Sequence, residues 1–518
     1  MSFNTVPFIL FLPVVALLYF AVPTRAKNPL LLLASYWFYW QAAGAGYTLL
    51  LLCCTAVSYA AARSMEKAQA ESVKKRILWV AVLAQIAVLV FFKYSRAIIT
   101  LTSLPAPTGV LLQILTNAGM LKTGEVFSLL FPLGISFYTF TSLGYLFDVS
   151  SGATKAEKDF IVYSLFVSFF AYITAGPIGR AGKLLPQLHE KHCYNYSRTV
   201  QGLQLMALGY FKKIAVADMI AKYINVVYAD VSAYTGLTLV FSTVLYSVYL
   251  YCDFSGYSDI ARGCAKILGF DLTENFNTPY FSTSFSQFWE RWHISLSSWL
   301  QDYLFTPLIW SGWQTKLPFI GKYLSGPPML AALAITFLVS GIWHGNTVNY
   351  VLWGACHAVY RIGETLMRKY YKKPDKHPST LKRTAKTLWV FSLVTFSYIF
   401  FRSVTVSDAF YVIANQFKGI SISGFVGQSI AIIQSGFSTR PPLMWGYVLF
   451  CAAALAIAVY MDVYRCFTLK GKCLTTGLAK AAPIVRWTIY YVLIGFICVA
   501  FIMQSGNFGG ASFAYAGF

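Results

Sequence analysis

Long apolar stretches recur along this chain, and they limit what it can fold into. A helix that crosses a bilayer needs about 20 predominantly apolar residues. The main apolar runs span residues 6–22, 30–40, 47–62, 77–92, 126–147, 237–252, 388–401, 445–461 and 487–503. Because 57% of the 518 residues are hydrophobic and only 12% are charged, a soluble core could not hide so much apolar surface. We predict an all-α polytopic membrane protein, one domain over residues 1–518, with about 11 transmembrane helices plus re-entrant and interfacial helices.

The charge and the cysteines exclude other classes of protein. The formal net charge of +22 comes from basic residues that cluster in short loops between the apolar runs. This is the pattern of a cytoplasmic membrane face, so we expect membrane lipid around the chain and no nucleic-acid partner. The ten cysteines are scattered, with no CxxC pair and no metal-ligand spacing. We interpret them as packing residues and predict neither a disulfide framework nor a metal site.

The basic clusters also predict the orientation of the helices. The run at 6–22 lacks a basic region before it, so it is predicted to remain as the first helix and not to be a cleaved signal peptide. Arg25 and Lys27, and the later cluster at 63–76, all belong on the cytoplasmic face, so the chain between them must cross outward and back through a turn at 42–46. Both termini are then extracytoplasmic, in a multi-pass protein of the plasma or inner membrane.

Several segments are predicted to interrupt the simple pattern of spans. Residues 160–178 form either a re-entrant piece or an ordinary helix with a Pro-Gly terminus. Residues 330–361 are too few for two full spans, so a break after His344 is predicted to join two half-depth helices. The aromatic residues of 285–300 follow helical spacing, which predicts a helix inside the bundle or at its cytoplasmic mouth. Residues 93–121 are predicted to be interfacial.

Two histidines stand out as candidates for chemistry. His344 follows Trp343 and precedes Gly345 and Asn346 within an apolar region, and His293 follows Trp292. A neutral imidazole can take a proton from a hydroxyl group, and ionisable residues inside membranes tend to be functional. For each histidine, the alternative is a packing residue satisfied by a backbone carbonyl. The other four histidines are interpreted as bystanders in basic loops or on a helix face.

The common soluble catalytic motifs are missing from the sequence. It contains no nucleophile elbow, P-loop, Gly-rich dinucleotide loop or HExxH motif. The remaining interpretation is acid–base chemistry at a membrane-buried histidine. A transporter or flippase would explain broken helices and buried polar groups equally well, and this alternative stays open.

Several motifs, taken in order, resemble the bacterial branch of the membrane-bound O-acyltransferase family. They lie at residues 131–138, 175–180, 209–218, 253–269, 275–308 and 337–357. This branch includes the alginate, cellulose and peptidoglycan O-acetyltransferases and the D-alanyl transferase of teichoic acid synthesis. The two spans predicted after residues 388–401 resemble the alginate O-acetyltransferase subgroup more than the shorter teichoic acid one. Glu290 departs from the family's motif, which usually carries a basic residue there.

The resemblance implies a fold and a reaction. His344 corresponds to the essential histidine of the family and His293 to its second one. The implied fold is a ring of helices around a central funnel, where a cytoplasmic thioester meets an acceptor from the opposite face. The donor would be an acyl-CoA or an acyl carrier protein, with no covalently bound cofactor, and an extracytoplasmic SGNH-hydrolase-like partner would pass the acyl group to a polysaccharide.

The C-terminal tail, residues 504–518, adds a candidate acyl carrier. The ending Phe513-Ala-Tyr-Ala-Gly-Phe518 resembles an F-x-Y-x-x-F ending that carries the acyl group on its tyrosine in a small partner of the teichoic acid transferase. The Gly-rich residues 506–512 could let the tail fold back, which would bring the Tyr515 hydroxyl towards His344. The alternative is a disordered aromatic terminus.

We therefore interpret the chain as a membrane-bound O-acyltransferase that moves an acyl group, with acetyl expected, towards a cell-envelope or extracellular polysaccharide. His344 would be the general base, and His293 would hold the donor or complete a relay. The donor-binding candidates are Lys212, Lys213, Arg291, Trp292, Trp343 and Asn346. The alternative within the class is a D-alanyl transferase to teichoic acid.

Overall fold

The computed structural model of the protein describes residues 1–102, 132–311, 328–370, 379–437 and 440–504. These residues form helices and their connections, with no strand among them. In the described part of the chain, six helices are long and apolar enough to cross a membrane: Ala45–Lys67, Glu71–Tyr94, Leu237–Leu268, Thr380–Arg402, Pro441–Thr468 and Pro483–Gln504. Val6–Ala21 and Met329–His344 are shorter apolar helices. The all-α membrane class is confirmed, while the total of about 11 spans stays a prediction.

The chain divides into two compact units, and the single-domain description of residues 1–518 stays a prediction. The first unit contains residues 1–206 and 257–274. Its helices are α1 (Val6–Ala21), α2 (Thr24–Ala43), α3 (Ala45–Lys67), α4 (Glu71–Thr102), α5 (Ile135–Ser151), α6 (Phe160–Ser168), α7 (Ala181–His189), most of α8 (Tyr196–Tyr210) and the end of α10 (Leu237–Leu268).

The second unit contains residues 207–256 and the described residues from 275 onward. Its helices are α9 (Asp218–Ala229), the first part of α10, α11 (Phe285–Trp289), α12 (Ile294–Leu300), α13 (Thr306–Trp310), α14 (Pro328–His344), α15 (Val348–Tyr370), α16 (Thr380–Arg402), α17 (Val406–Asn415), α18 (Ile422–Gly436), α19 (Pro441–Val463), α20 (Leu474–Lys480) and α21 (Pro483–Gln504). π-Helical turns follow α8, α12 and α19, at Phe211–Ala217, Gln301–Phe305 and Tyr464–Thr468.

The predicted turn between the second and third apolar runs is confirmed. Gly44 separates α2 from α3 and has φ +86°, a left-handed value that suits glycine. Its N–H donates to the carbonyl oxygen of Trp40 at 2.7 Å, which closes the last turn of α2. In the segment predicted to be interfacial, the residues up to Thr102 continue α4 as one helix, and the rest, from residue 103, lies outside the described residues. Its interfacial placement stays a prediction.

The segment 160–178 is not an ordinary helix, so that alternative is wrong. Helix α6 has only nine residues and ends at Ser168, and the buried backbone that follows is irregular. Nine helical residues rise about 14 Å, less than half of a hydrocarbon core of about 30 Å. Gly134 explains part of the packing, since a Cβ at this position would overlap the Ile173 carbonyl oxygen of the irregular stretch. The re-entrant interpretation remains.

Helices α14 and α15 form a tightly packed hairpin in the second unit. A Cβ at Gly341 would overlap the carbonyl oxygen of Tyr350, and a Cβ at Gly354 would overlap that of Phe337. The two backbones therefore approach each other without side chains between them, as small residues permit between membrane helices. The hairpin places its connection, residues 345–347, directly after His344.

We expect Gly341→Ala to lower the free energy of unfolding by about 1–3 kcal/mol, because an added methyl group would force the two helices apart. Thermal or denaturant unfolding in detergent micelles measures this change. Gly363→Ala in α15 is the matched control, since a Cβ there meets nothing within 4 Å and should be neutral or stabilise by up to about 1 kcal/mol. Equal stability of Gly341→Ala and the wild type would contradict the close packing.

Candidate active site

His344 is the last residue of α14, and the structure buries it among aromatic rings. Only 3% of the surface of His344 is exposed. Its ring centroid lies 4.7 Å from that of Trp343, 4.8 Å from that of Trp353 on α15 and 5.2 Å from that of Phe401 on α16. Three neighbouring helices therefore hold the imidazole at the end of the α14–α15 hairpin.

The predicted break after His344 is confirmed. Helix α14 has 17 residues and α15 has 23. At a rise of 1.5 Å per residue, α14 is about 25 Å long, which is longer than half of a hydrocarbon core. Neither helix is among the six that are long and apolar enough to cross a membrane, so their depth stays a prediction.

His293 joins two short helices and breaks the continuous helix predicted for residues 285–300. It has φ +45° and ψ +52°, a left-handed conformation that is uncommon for residues other than glycine. The chain turns there from α11 into α12, and the Ile294 N–H donates to the Asn275 carbonyl oxygen at 3.0 Å. Backbone strain of this kind clusters at functional sites when the surroundings hold it in place.

Asn275 defines the orientation of the His293 ring. The Asn275 Oδ1 accepts hydrogen bonds from the Ser295 N–H at 3.0 Å and from the Ser295 hydroxyl at 2.9 Å, and it lies 3.2 Å from the His293 Nδ1. Because the Ser295 N–H can only donate, the facing Asn275 atom is the oxygen. The His293 Nδ1 therefore carries the proton, and Nε2 keeps its lone pair. Sequence analysis missed Asn275, although it precedes the aromatic motif in the same stretch.

The structure brings the two predicted histidines around one indole. The Trp343 ring centroid lies 6.4 Å from that of His293 and 4.7 Å from that of His344. The Phe254 ring of α10 packs edge-on against His293 at 4.7 Å. Two imidazoles in an apolar, aromatic setting form a site suited to proton transfer from a bound hydroxyl.

His357 belongs to the same cluster of rings, a position that the sequence did not predict, while its interpretation as a bystander stays a prediction. It is fully buried on α15, with its ring 4.8 Å from that of Trp353 and 5.0 Å from that of Trp289. Its Nε2 lies 3.1 Å from the Ser397 hydroxyl oxygen, whose single proton goes to the Val394 carbonyl at 2.7 Å. The His357 Nε2 therefore donates. The spacing of Trp353 and His357, four residues apart on one helix face, was the signal available in the sequence.

A cavity of about 450 Å³ lies beside the two predicted histidines. Its lining includes Ile294, which follows His293, and Ser340, which lies one helical turn before His344. Its polar lining residues are Ser286, Glu290, Ser297, Ser298, Gln301, Thr336, Ser340 and Arg361. Hydroxyl and amide groups on an otherwise apolar wall are typical of a site for a small polar ligand, and the volume is within the usual range.

Charged residues at this cavity are partly neutralised. The Arg361 Nη1 lies 2.6 Å from the Glu364 Oε2, and the same Glu364 oxygen accepts the Ser286 N–H at 3.0 Å. Glu290 adds an acidic side chain to the lining, with its Oε1 3.3 Å from the Ser286 hydroxyl. The departure of Glu290 from the family's motif therefore lies at the wall of this cavity.

The predicted donor-binding residues lie outside the described lining of this cavity. None of the six, Lys212, Lys213, Arg291, Trp292, Trp343 and Asn346, is among its described lining residues. Lys212 is buried, with its ammonium 5.8 Å from the Tyr251 ring centroid, whereas Arg291 is half-buried and Asn346 is exposed. Trp292 is buried and stacks on Phe288 at 5.6 Å.

The placement of Lys213 argues against a donor-binding role for it. Lys213 is fully buried in the π-helical turn after α8, with Nζ 2.6 Å from the Asp253 Oδ1 and 2.8 Å from the Asp218 Oδ1. Two carboxylates already neutralise this ammonium, and removing it would leave buried charges without compensation. The sequence showed a pair of lysines but not the carboxylate 40 residues away.

Residues near the C-terminal end support the loop that carries Asn275. Arg465 is buried, and its guanidinium donates to the carbonyl oxygens of Phe276 at 3.2 Å and Gly471 at 3.3 Å. Asp462, one turn earlier, accepts the Tyr251 hydroxyl at 3.0 Å. In the sequence, Arg465 begins a cluster of Lys and Arg residues at 465–486, a pattern typical of a cytoplasmic loop and not of a buried guanidinium. Tyr515, the third predicted catalytic residue, lies outside the described residues.

The residues of the candidate site lie within a region that matches a known protein family. The model of the membrane-bound O-acyltransferase family, MBOAT, matches residues 32–410, so the chain belongs to this family of acyltransferases. The match includes His293, His344 and His357 and ends before Arg465.

Three curated relatives show which members of this family the chain is similar to. The chain is 33% identical to "Probable alginate O-acetylase AlgI" of Azotobacter vinelandii, over 79% of this chain and 76% of that protein. It is 30% identical to the peptidoglycan O-acetyltransferase of Helicobacter pylori, over 81% of each chain. The teichoic acid D-alanyltransferase of Bacillus subtilis is 28% identical over 52% of this chain and 67% of that protein.

We expect Asn275→Ala to lower the free energy of unfolding by about 1–3 kcal/mol, because the buried donors of Ser295 and His293 lose their acceptor. Acyl transfer should fall as well, since the His293 ring loses its orientation. Unfolding in micelles and an acyl-transfer assay measure the two effects. Asn225→Ala is the control: Asn225 is exposed, its Oδ1 accepts from Arg402 at 3.1 Å, and its loss should change stability by less than about 0.5 kcal/mol. Wild-type stability and rate for Asn275→Ala would contradict its positioning role.

Proposed function

We propose that this acyltransferase moves an acyl group from a thioester donor to a hydroxyl group at the His293–His344 site, and that the group ends on a cell-envelope or extracellular polysaccharide. The observation that carries this proposal is the position of two buried imidazoles around Trp343, next to a cavity with a hydroxyl-rich wall. The names of the relatives support acetyl as the group and a polysaccharide as its destination.

The proposed reaction conserves atoms and charge. The imidazole of His344 takes the proton of the acceptor hydroxyl as its oxygen attacks the thioester carbonyl carbon. A new C–O ester bond forms, the C–S bond breaks, and the thiol leaves with the proton that His344 held. His293, whose ring is oriented by Asn275, is proposed to hold the donor or to complete a proton relay. The donor is acyl-CoA or an acyl carrier protein, and the chain itself needs no bound cofactor for these steps.

The arrangement of the whole chain is part of the proposal. We propose about 11 spans arranged as a ring around a central funnel, with both termini outside the cytoplasm. An extracytoplasmic SGNH-hydrolase-like partner then moves the acyl group from this enzyme to the polysaccharide. Family resemblance supports these features.

Tyr515 is proposed as the first acceptor. It follows Gln504, the last residue of α21, by 11 residues, which extend over about 36 Å when fully stretched. The tail is therefore long enough for the Tyr515 hydroxyl to reach over a distance comparable with the thickness of a hydrocarbon core. An acyl ester on a phenol is more reactive than one on an alkyl alcohol, so acyl-Tyr515 is suited to pass the group on.

A D-alanyl transferase to teichoic acid is the second candidate, favoured by the similarity to the Bacillus subtilis enzyme. The shorter match, about half of this chain, supports it less than the match to the O-acetyltransferases. The mass of the transferred group distinguishes the two candidates.

We expect His344→Gln to lower the rate of acyl transfer by about 10²–10⁴-fold, the usual contribution of a general base. The assay follows label from radioactive acetyl-CoA or acetyl carrier protein into polymer, in membranes that contain the full chain. His189→Gln is the matched control, because this imidazole is about half exposed and pairs with Glu157 in the first unit. A transporter would keep its activity after His344→Gln and would never carry the label, and either result would overturn the proposal.

We expect mass spectrometry of the C-terminal peptide to show an acyl increment on Tyr515 when the donor is present and the acceptor is absent. An increment of about 42 Da would identify acetyl and one of about 71 Da would identify alanyl, from the elementary masses of the groups. Tyr515→Phe should lose both the increment and the transfer to polymer. Full transfer by Tyr515→Phe would remove the relay and leave the role of His344 untouched.

A further inference from the structure

A second cavity, of about 300 Å³, lies in the first unit and has no role in the proposed reaction. It is lined by the start of α2, the start of α6 and the end of α7. All of its lining residues belong to this unit, whereas both predicted catalytic histidines belong to the other one.

Lys27 gives the cavity a buried ammonium group without a carboxylate partner among the described residues. The residue lines the cavity and is only 9% exposed. Its Nζ donates to the His192 carbonyl oxygen at 2.5 Å and lies 5.0 and 5.6 Å from the ring centroids of Tyr19 and Phe20. No carboxylate among the described residues lies within ion-pair distance of it. A buried ammonium with only neutral partners is costly, and an anion in the cavity would compensate it.

The start of α2 is a second, independent feature that favours an anion. This helix has 20 residues, and its N-cap is Pro23, whose side chain cannot accept a hydrogen bond from the first-turn N–H groups. The open N–H groups and the helix dipole attract negative charge at this end. Arg25, an exposed residue of the same turn, also lines the cavity.

Two acidic residues also line the cavity. Asp159 is one of them, and its Oδ1 accepts the Ile161 N–H at 2.8 Å and caps α6. The neighbouring His189 pairs with Glu157 at 2.8 Å. Glu190 is an exposed carboxylate at the end of α7 and lines the cavity. A ligand that carries a positive group beside its anion therefore fits better than a bare anion.

Phospholipid is the phosphate-bearing ligand that surrounds a membrane protein. Helix α1, which supplies Tyr19, exposes Leu10, Val14 and Leu17, with exposed fractions of 66%, 54% and 73%. These residues lie three or four positions apart on the face of the helix opposite Tyr19, a face that lipid chains cover in a membrane. A phospholipid beside α1 therefore has its headgroup near the end of the helix, where Tyr19 and Lys27 line the cavity.

We infer that this cavity binds the phosphodiester headgroup of a membrane phospholipid. Its phosphate contacts Lys27, Arg25 and the first-turn N–H groups of α2, and the ammonium of an ethanolamine headgroup faces Glu190. The site is separate from acyl transfer, so its occupancy and the activity of the enzyme are independent measurements.

The test is phospholipid binding to the full, delipidated chain in detergent, read by native mass spectrometry and by the thermal unfolding midpoint. The probes are phosphatidylethanolamine, phosphatidylglycerol, diacylglycerol and inorganic phosphate. We expect one phosphatidylethanolamine per chain at this site, weaker binding of phosphatidylglycerol, and no specific binding of diacylglycerol. Lys27→Gln should weaken phospholipid binding at least tenfold, whereas Lys67→Gln, a change at an exposed lysine outside the cavity, should leave the binding unchanged.

If Lys27→Gln fails to fold, Arg25→Gln takes its place in the test. Because Arg25 is exposed, this substitution should weaken phospholipid binding several-fold without loss of structure. Equal binding of diacylglycerol and phospholipid, or unchanged binding in Arg25→Gln and in a folded Lys27→Gln, would overturn the site. If inorganic phosphate raises the thermal unfolding midpoint and phospholipid does not, the assignment of a lipid is wrong and the ligand is free phosphate.

Discussion

The lack of water in the hydrocarbon core is the constraint on which this structure depends. Every polar group that the helices carry into that region must find its partner within the protein. The buried cluster of Lys213, Asp253 and Asp218 and the three hydrogen bonds to the Asn275 Oδ1 are both solutions to this problem. In the second unit, such pairings hold the chain near the candidate site in one arrangement, and the same physics makes each of them costly to remove.

The sequence predicted well those features that depend on local patterns. The apolar runs predicted helices, Gly44 predicted a turn, and His344 with Gly345 predicted the end of a helix. Features that depend on distant residues could not be predicted. Lys213 seemed to be available for a ligand because Asp253, one of its two carboxylate partners, is 40 residues away. His357 seemed to be incidental because Ser397 is also 40 residues away. The left-handed conformation of His293 had no signal, since only the surrounding hydrogen bonds make it tolerable.

The part of the chain beyond the family match is integrated with the site. The match ends at residue 410, yet Asp462 and Arg465 contact Tyr251 and the backbone beside Asn275. The C-terminal helices are thus more than additional membrane anchors, because they supply buried charged groups to the loop that orients His293.

The hairpin of α14 and α15 has a consequence for the rigidity of the site. Because Gly341 and Gly354 bring the two backbones into direct contact at their level, no side chain there could change its rotamer to part the helices. Further along the pair, Leu333 and Phe337 of α14 pack with Ala358 of α15. The end of α14 that carries His344 is therefore fixed by contact between backbones, which leaves the imidazole little freedom to shift towards or away from α15.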